Sequence, residues 1–456
     1  MRKLVIILLL LCVVTFSLVG CSGNQEGNVN IPDNSQTENN SSVNDDTNIY
    51  ENDVDYSQNL AYTISDDKTY YIVRGLGLCS DRDIVIPSTY NKLPVLEIGD
   101  NAFEKEQINS VIFTKNVRRV GVKAFSECNN LSKIVFGDNL ETISSYAFNK
   151  CKKLKEITFG NNDLTINSYA FYWCEELSSI NIKNVISIES HAFSECHNLS
   201  AVQISSKIDF LSDSAFNGCA KLIYNTYDNC NYLGNDDCRY LVLFKAENQA
   251  TSCTVFDGTR IILPNAFKDN NSIKNISLPT TLIRIGYSAF RNCKSLLSIN
   301  IPESVKNIEG YAFEGCEKLN QINFNATNCS VSSSVFANTG NYGEGIKVII
   351  SANVTQIPSE LFAVDQWNPL FTEASPNIIS VEFANDSKCT LIGSLSFSHL
   401  EKLSSIILPN SIIKIEGGAF RDCYNLTSVT IGINVKDIAS TAFENCYNLT
   451  IIKRDS

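Results

Sequence analysis

The sequence predicts a solenoid: about fourteen stacked turns of about 23 residues, each adding a short strand to a parallel β ladder, with short turns or helices on the opposite face. Three observations predict it. Between residues 102 and 443 the chain returns fourteen times to one phrase, usually Ala-Phe with a Cys three residues beyond the Phe and then Leu-x-x-Ile. The phrase ends in period-2 alternation, as in Leu131, Ile134 and Phe136 or Leu319, Ile322 and Phe324, the pattern of a strand with one buried face. A single copy carries too few large apolar side chains to offset the ordering of its own backbone, so copies fold only by stacking. A fixed period of roughly 20 to 29 residues is that of a leucine-rich repeat solenoid.

The elements follow in order along the chain. In residues 1–20, Arg2-Lys3 precedes an apolar run from Leu4 to Phe16 that is too short to span a bilayer and reads as a signal peptide. The ending Leu18-Val19-Gly20-Cys21 resembles a bacterial lipobox, and that resemblance implies cleavage before Cys21 and a diacylglyceryl group on its thiol. Residues 21–55 read as a disordered tether, because 22–55 hold nine Asn, eight Asp or Glu and no Lys or Arg. In 56–100, Tyr70-Tyr71-Ile72-Val73 and Ile84-Val85-Ile86-Pro87, broken by Gly75 and Gly77, read as a β cap over the end of the stack. Residues 101–456 are the repeats. They turn irregular at 220–265, where 240–256 reads as an extra hairpin, and again at 326–395.

Composition narrows the function. The net charge of −12 lacks the clustered Lys and Arg that nucleic acid requires. Nine of the seventeen cysteines occupy one repeat position: Cys128, Cys151, Cys174, Cys196, Cys219, Cys293, Cys316, Cys423 and Cys446. No Cys-x-x-Cys occurs, and ligands one turn apart form a row rather than a tetrahedron, so these thiols read as a buried structural column and no metal is expected. Cys230, Cys238 and Cys253 fall in the first irregular segment, where a bridge stays open as an alternative. The three histidines, His191, His197 and His399, read as solvated repeat variation. Nothing marks a catalytic residue or a cofactor site.

Binding surfaces are more legible. The variable positions flanking the central strand residue line the open face of the ladder, and they include Asn181, Gln203, Asn275, Asn300, Gln321 and Asn323. This row of neutral hydrogen-bonding groups suits weak, repeated contacts. A second candidate lies in the lapse of the repeat, where Trp367 and Phe371 offer the aromatic anchors that the row lacks.

The run Ala-Phe-x-x-Cys-x-x-Leu-x-x-Ile-x-Leu/Ile-Pro, with Ile98-Gly99-Asp100-Asn101-Ala102-Phe103 and the break Tyr232-Leu233-Gly234-Asn235, resembles the BspA-type leucine-rich repeat proteins of bacterial surfaces. The resemblance covers residues 56–456. It implies a lipid-anchored surface protein that adheres to a protein or glycan of a host or neighbouring cell. Two other classes stay open: a glycan- or peptide-acting surface enzyme with its site in 326–395, and a structural envelope spacer.

Overall fold

The computed structural model describes residues 55–247, 250–364 and 374–454. The described residues form one compact unit, a β-solenoid of about 16 turns. A regular turn has three sides, and 298–316 shows each of them. Ser298–Ile301 buries Ile299 and Ile301 and exposes Asn300. The two-residue strand Asn307–Ile308 then buries Ile308, and Ala312-Phe313 fills the third side. Strands of the first kind pair in parallel one turn apart, Ser298 with Gln321 and Ile301 with Phe324, to make a first ladder. The short strands pair likewise, Arg284 with Asn307 and Ile285 with Ile308, to make a second.

The third side is a turn throughout, and the described residues contain no helix. The expectation of short helices there is corrected by the backbone. Most of the Ala-Phe turns place two residues four apart in the left-handed region, such as Tyr146 (φ 61°) with Lys150 (φ 58°) and Ser288 (φ 53°) with Asn292 (φ 57°). An α-helix admits no such residue in its interior. The N–H groups point instead at the neighbouring turn: Phe290 donates to Ala312 at 2.7 Å and Asn292 to Glu314 at 2.7 Å. Ala at the contact lets the backbones approach, and the turn side becomes a third hydrogen-bonded row.

Inside the winding the Phe rings form a column. Phe290 and Phe313 stack at 5.1 Å with planes 1° apart, and Phe313 and Phe336 at 5.1 Å and 7°. These rings are fully buried.

The cap region is an antiparallel hairpin, Ala61–Ile64 with Tyr71–Gly75, whose second strand pairs in parallel with Leu93–Ile98 and so starts the second ladder. The first irregular segment repeats this plan. Asn225–Tyr227, Cys230–Leu233 and Val242–Ala246 form an antiparallel meander, and its last strand pairs in parallel with Ile261–Ile262. The hairpin thus lies earlier than 240–256, because Asp228 and Asn229 both take the left-handed conformation of a tight two-residue turn (φ 43° and 60°). The ladders break here, and the core divides into two clusters that meet within residues 230–263.

Candidate functional site

The open face of the first ladder carries the amide row in two separate stretches. Asn181 stands opposite Gln203 in the two-stranded piece Ser179–Ile182 and Ala201–Ile204. Beyond the break, Asn275 is exposed on Asn275–Ser277, and Asn300 pairs in register with Asn323. The row continues as Ile349 and Glu382, which interrupts its neutral character. Neighbouring amides hold one another: Asn325 Nδ2 donates to Asn300 Oδ1 at 2.8 Å, and Gln321 Nε2 to Asn323 Oδ1 at 2.9 Å. Asn300, Gln321 and Asn323 therefore form one patch, and Asn181 and Gln203 belong to another. Gln203 is engaged in scaffolding, since its Oε1 accepts the Asp236 N–H at 3.0 Å. Trp367 and Phe371 lie outside the described residues, as does Cys21.

The cysteine column lies on the far side of the core. Each thiol donates to the carbonyl of the Phe one turn earlier: Cys128 to Phe103 at 3.0 Å, Cys151 to Phe125 at 3.1 Å, Cys293 to Phe267 at 3.2 Å, and Cys423 to Phe397 at 3.1 Å. The same bond runs from Cys174, Cys196, Cys219, Cys316 and Cys446. The thiols thus give a second donor to a carbonyl that also closes its own turn, as that of Phe103 does with the Glu106 N–H at 3.1 Å, a role that apolarity alone does not convey. Burial pushes the thiols of Cys128 and Cys293 up to about 12. Cys230 and Cys253 are free thiols in contact at 3.4 Å.

The histidines are dispersed. His191 stacks on Tyr169 at 4.8 Å and meets Ser194 Oγ at 2.9 Å, His197 lies 3.6 Å from Glu195, and His399 lies 3.3 Å from Asp422 in a distant turn. Among the described residues no group of three His, Cys, Asp or Glu is placed to hold a metal ion.

The second irregular segment hides a repeat and opens a crevice. Leu361-Phe362 occupies the Ala-Phe position, but its ring is tilted 40° from Phe336, unlike the parallel pairs before it. At this level the first ladder runs unbroken through Gln321–Phe324, Ile346–Ile350 and Ile378–Phe383. The second ladder stops at Ser330–Val331 and resumes at Gln356–Ile357 without pairing between them. Pro358 removes one of the bonds that would join them. At its position Glu309, Ser332, Gly393, Glu416 and Ala439 each donate a backbone N–H to the preceding turn, at Ile285, Ile308, Ile357, Ile392 and Ile415. Proline has no N–H to give. A cavity of about 260 Å³ results, lined among others by Cys329, Ser330, Val331, Gln356, Ile357 and Ser359.

The BspA type leucine-rich repeat region model matches six times, over residues 96–223, 242–366 and 369–456. The chain belongs to the BspA-type leucine-rich repeat family. Among solved structures, this BspA-type chain is similar to a leucine-rich repeat protein from Bacteroides ovatus (22% identity, 88% of this chain and 94% of that one, TM-score 0.36). It is also similar to a leucine-rich cell surface protein from Faecalibacterium prausnitzii (20% identity, 89% and 96%, TM-score 0.33). The pneumococcal vaccine antigen PcpA matches at 16% identity over 89% and 99%, with a TM-score of 0.33. No curated protein matches in sequence. The family model gap at 224–241 falls on the meander, where the repeat phrase lapses.

Proposed function

We propose that this BspA-type chain is a bacterial cell-surface binder, held to the membrane through a lipid on Cys21, that adheres without covalent chemistry to a protein or glycan of a host or neighbouring cell. The observation that carries the reading is the amide patch of the exposed Asn300 and the half-buried Gln321 and Asn323 on a parallel ladder. Amides present donors and acceptors together, so they pair with peptide groups and sugar hydroxyls alike. Each contact is weak, and many copies on one cell raise the avidity.

The test is an array of glycans and matrix proteins probed with the whole chain. Asn300→Glu with Asn323→Glu is expected to leave the circular dichroism spectrum unchanged and to reduce binding roughly tenfold or more by placing unpaired charge on the face. Binding that survives this pair of changes removes the amide patch from consideration. For the anchor, Cys21→Ser is expected to abolish labelling by a fatty-acid probe in the native host and to release or strand the precursor. Unchanged labelling ends the lipid-anchor reading.

A further inference from the structure

The two breaks in the second ladder leave the same backbone group open and treat it differently. At the first break, Phe210–Leu211 has no strand after it. Its edge is closed by two arginines from beyond the meander: Arg260 Nε donates to the Ile208 carbonyl at 3.0 Å and Arg284 Nε to the Asp209 carbonyl at 3.2 Å. Arg260 also reaches the Asp209 carboxylate at 2.9 Å, and the Arg284 guanidinium lies 5.0 Å from the Phe210 ring centre. Guanidinium is well suited to such an edge, since its N–H groups lie in a plane and it is weakly hydrated.

The carbonyl of Asp209 has a counterpart at the second break. It precedes the first residue of its short strand, as Cys329 precedes Ser330. In an unbroken turn this carbonyl is satisfied by the next turn: that of Ile283 accepts from Lys306 at 2.9 Å and Asn307 at 3.2 Å. Beyond Ser330–Val331 no such ladder forms, and the position that would serve Val331 is Pro358. No arginine enters, because the residue standing where Arg284 stands in its own strand is Gln356. The cavity sits here, with the exposed Ser330 and Ser359 at its rim and the buried Ile357 in its lining.

We propose that this crevice binds the guanidinium of an arginine side chain presented by a protein ligand, completing from outside the contact that Arg284 makes to Asp209 from within. The carbonyls of Cys329 and Val331 are the acceptors, and the Ser359 hydroxyl takes a remaining N–H group, since that of Ser330 already donates to Lys306 and accepts from Asn307. This deepens the surface-binder reading and rests on it, since it selects proteins with an accessible arginine over glycans.

The experiment is isothermal titration of the whole chain with Nα-acetyl-arginine N-methylamide, against the citrulline and lysine amides. Saturable binding of the arginine probe is expected, with citrulline weaker by roughly tenfold or more because the charge is lost. Pro358→Ala supplies the missing N–H to Val331 and closes the crevice, and Gln356→Arg fills it from within. Loss of arginine binding in either variant, with the fold intact by circular dichroism, supports the site. Absence of saturable binding to the parent, or undiminished affinity in both folded variants, overturns it. A parent that ignores the arginine amide yet still engages array ligands would sink this site alone and leave the surface-binder reading standing.

Discussion

Phe313→Ala is expected to destabilise the solenoid by about 3 to 5 kcal/mol, the range for emptying a buried aromatic site. Phe313 has no exposed surface and is in ring contact with Phe290 above and Phe336 below. The backbone around it is held in the third row by bonds to the next turn, so neighbouring turns cannot collapse into the space without giving up N–H partners. Stability in such an array is a sum over adjacent interfaces, so the loss weakens two interfaces at once and lowers the cooperativity between the turns on either side. Urea denaturation followed by circular dichroism measures it. Tyr287→Ala, at an exposed position of the same side, is the control and is expected to change stability by no more than about 0.5 kcal/mol. A loss below about 1 kcal/mol for Phe313→Ala contradicts the account of the column.

The second large effect is a loss of stability at alkaline pH. Burial raises the thiols of Cys128, Cys151, Cys174, Cys219, Cys293 and Cys316 above their ordinary value near 9.0. A group whose pKa is higher folded than unfolded contributes stability that is whole below the unfolded value and is lost as pH rises past it. The midpoint of urea unfolding under a reductant is therefore expected to hold from pH 7 to 8 and to fall steeply above about pH 9, each buried thiol adding to the slope. Replacing Cys151, Cys174 and Cys316 with Ala is expected to cost roughly 1 to 2 kcal/mol each at neutral pH and to flatten the alkaline fall. An alkaline slope unchanged by these replacements shows that other groups govern it.

The fold was readable because its cause is periodic. Apolar residues recur at fixed phases of each turn, and the strands Ser298–Ile301 and Gln321–Phe324 lie where Leu-x-x-Ile-x-Ile places them. The turn side is harder, since its left-handed positions hold Tyr, Lys, Trp and Glu in some turns and Asn, Asp or Gly in others, so no single local preference marks them. The thiol bonds were invisible for another reason: donor and acceptor lie 25 or 26 residues apart and meet only after winding. The amides of the open face are legible as a row, but the meander that separates Asn181 from Asn300 lies at 225–246 rather than at 240–256. Pro358 carries no distinguishing signal in the sequence because Ile-Pro also ends strands of the first ladder, as at Ile301-Pro302, where the ladder tolerates it. Only the register assigns Ile357-Pro358 to the second ladder, where the missing N–H opens a crevice.

The internal meander at residues 225–246 bears on how the chain acquires its structure. An antiparallel hairpin forms from residues close in sequence and needs no prior template, whereas a parallel strand needs a preceding turn to dock on. Turns after Val242 therefore have a local seed of their own, and winding there proceeds without waiting for residues 56–223. A chain that folds as it emerges by its N-terminus passes through two short growth phases in place of one long one. Less unpaired strand edge stands open to a neighbouring chain at any moment.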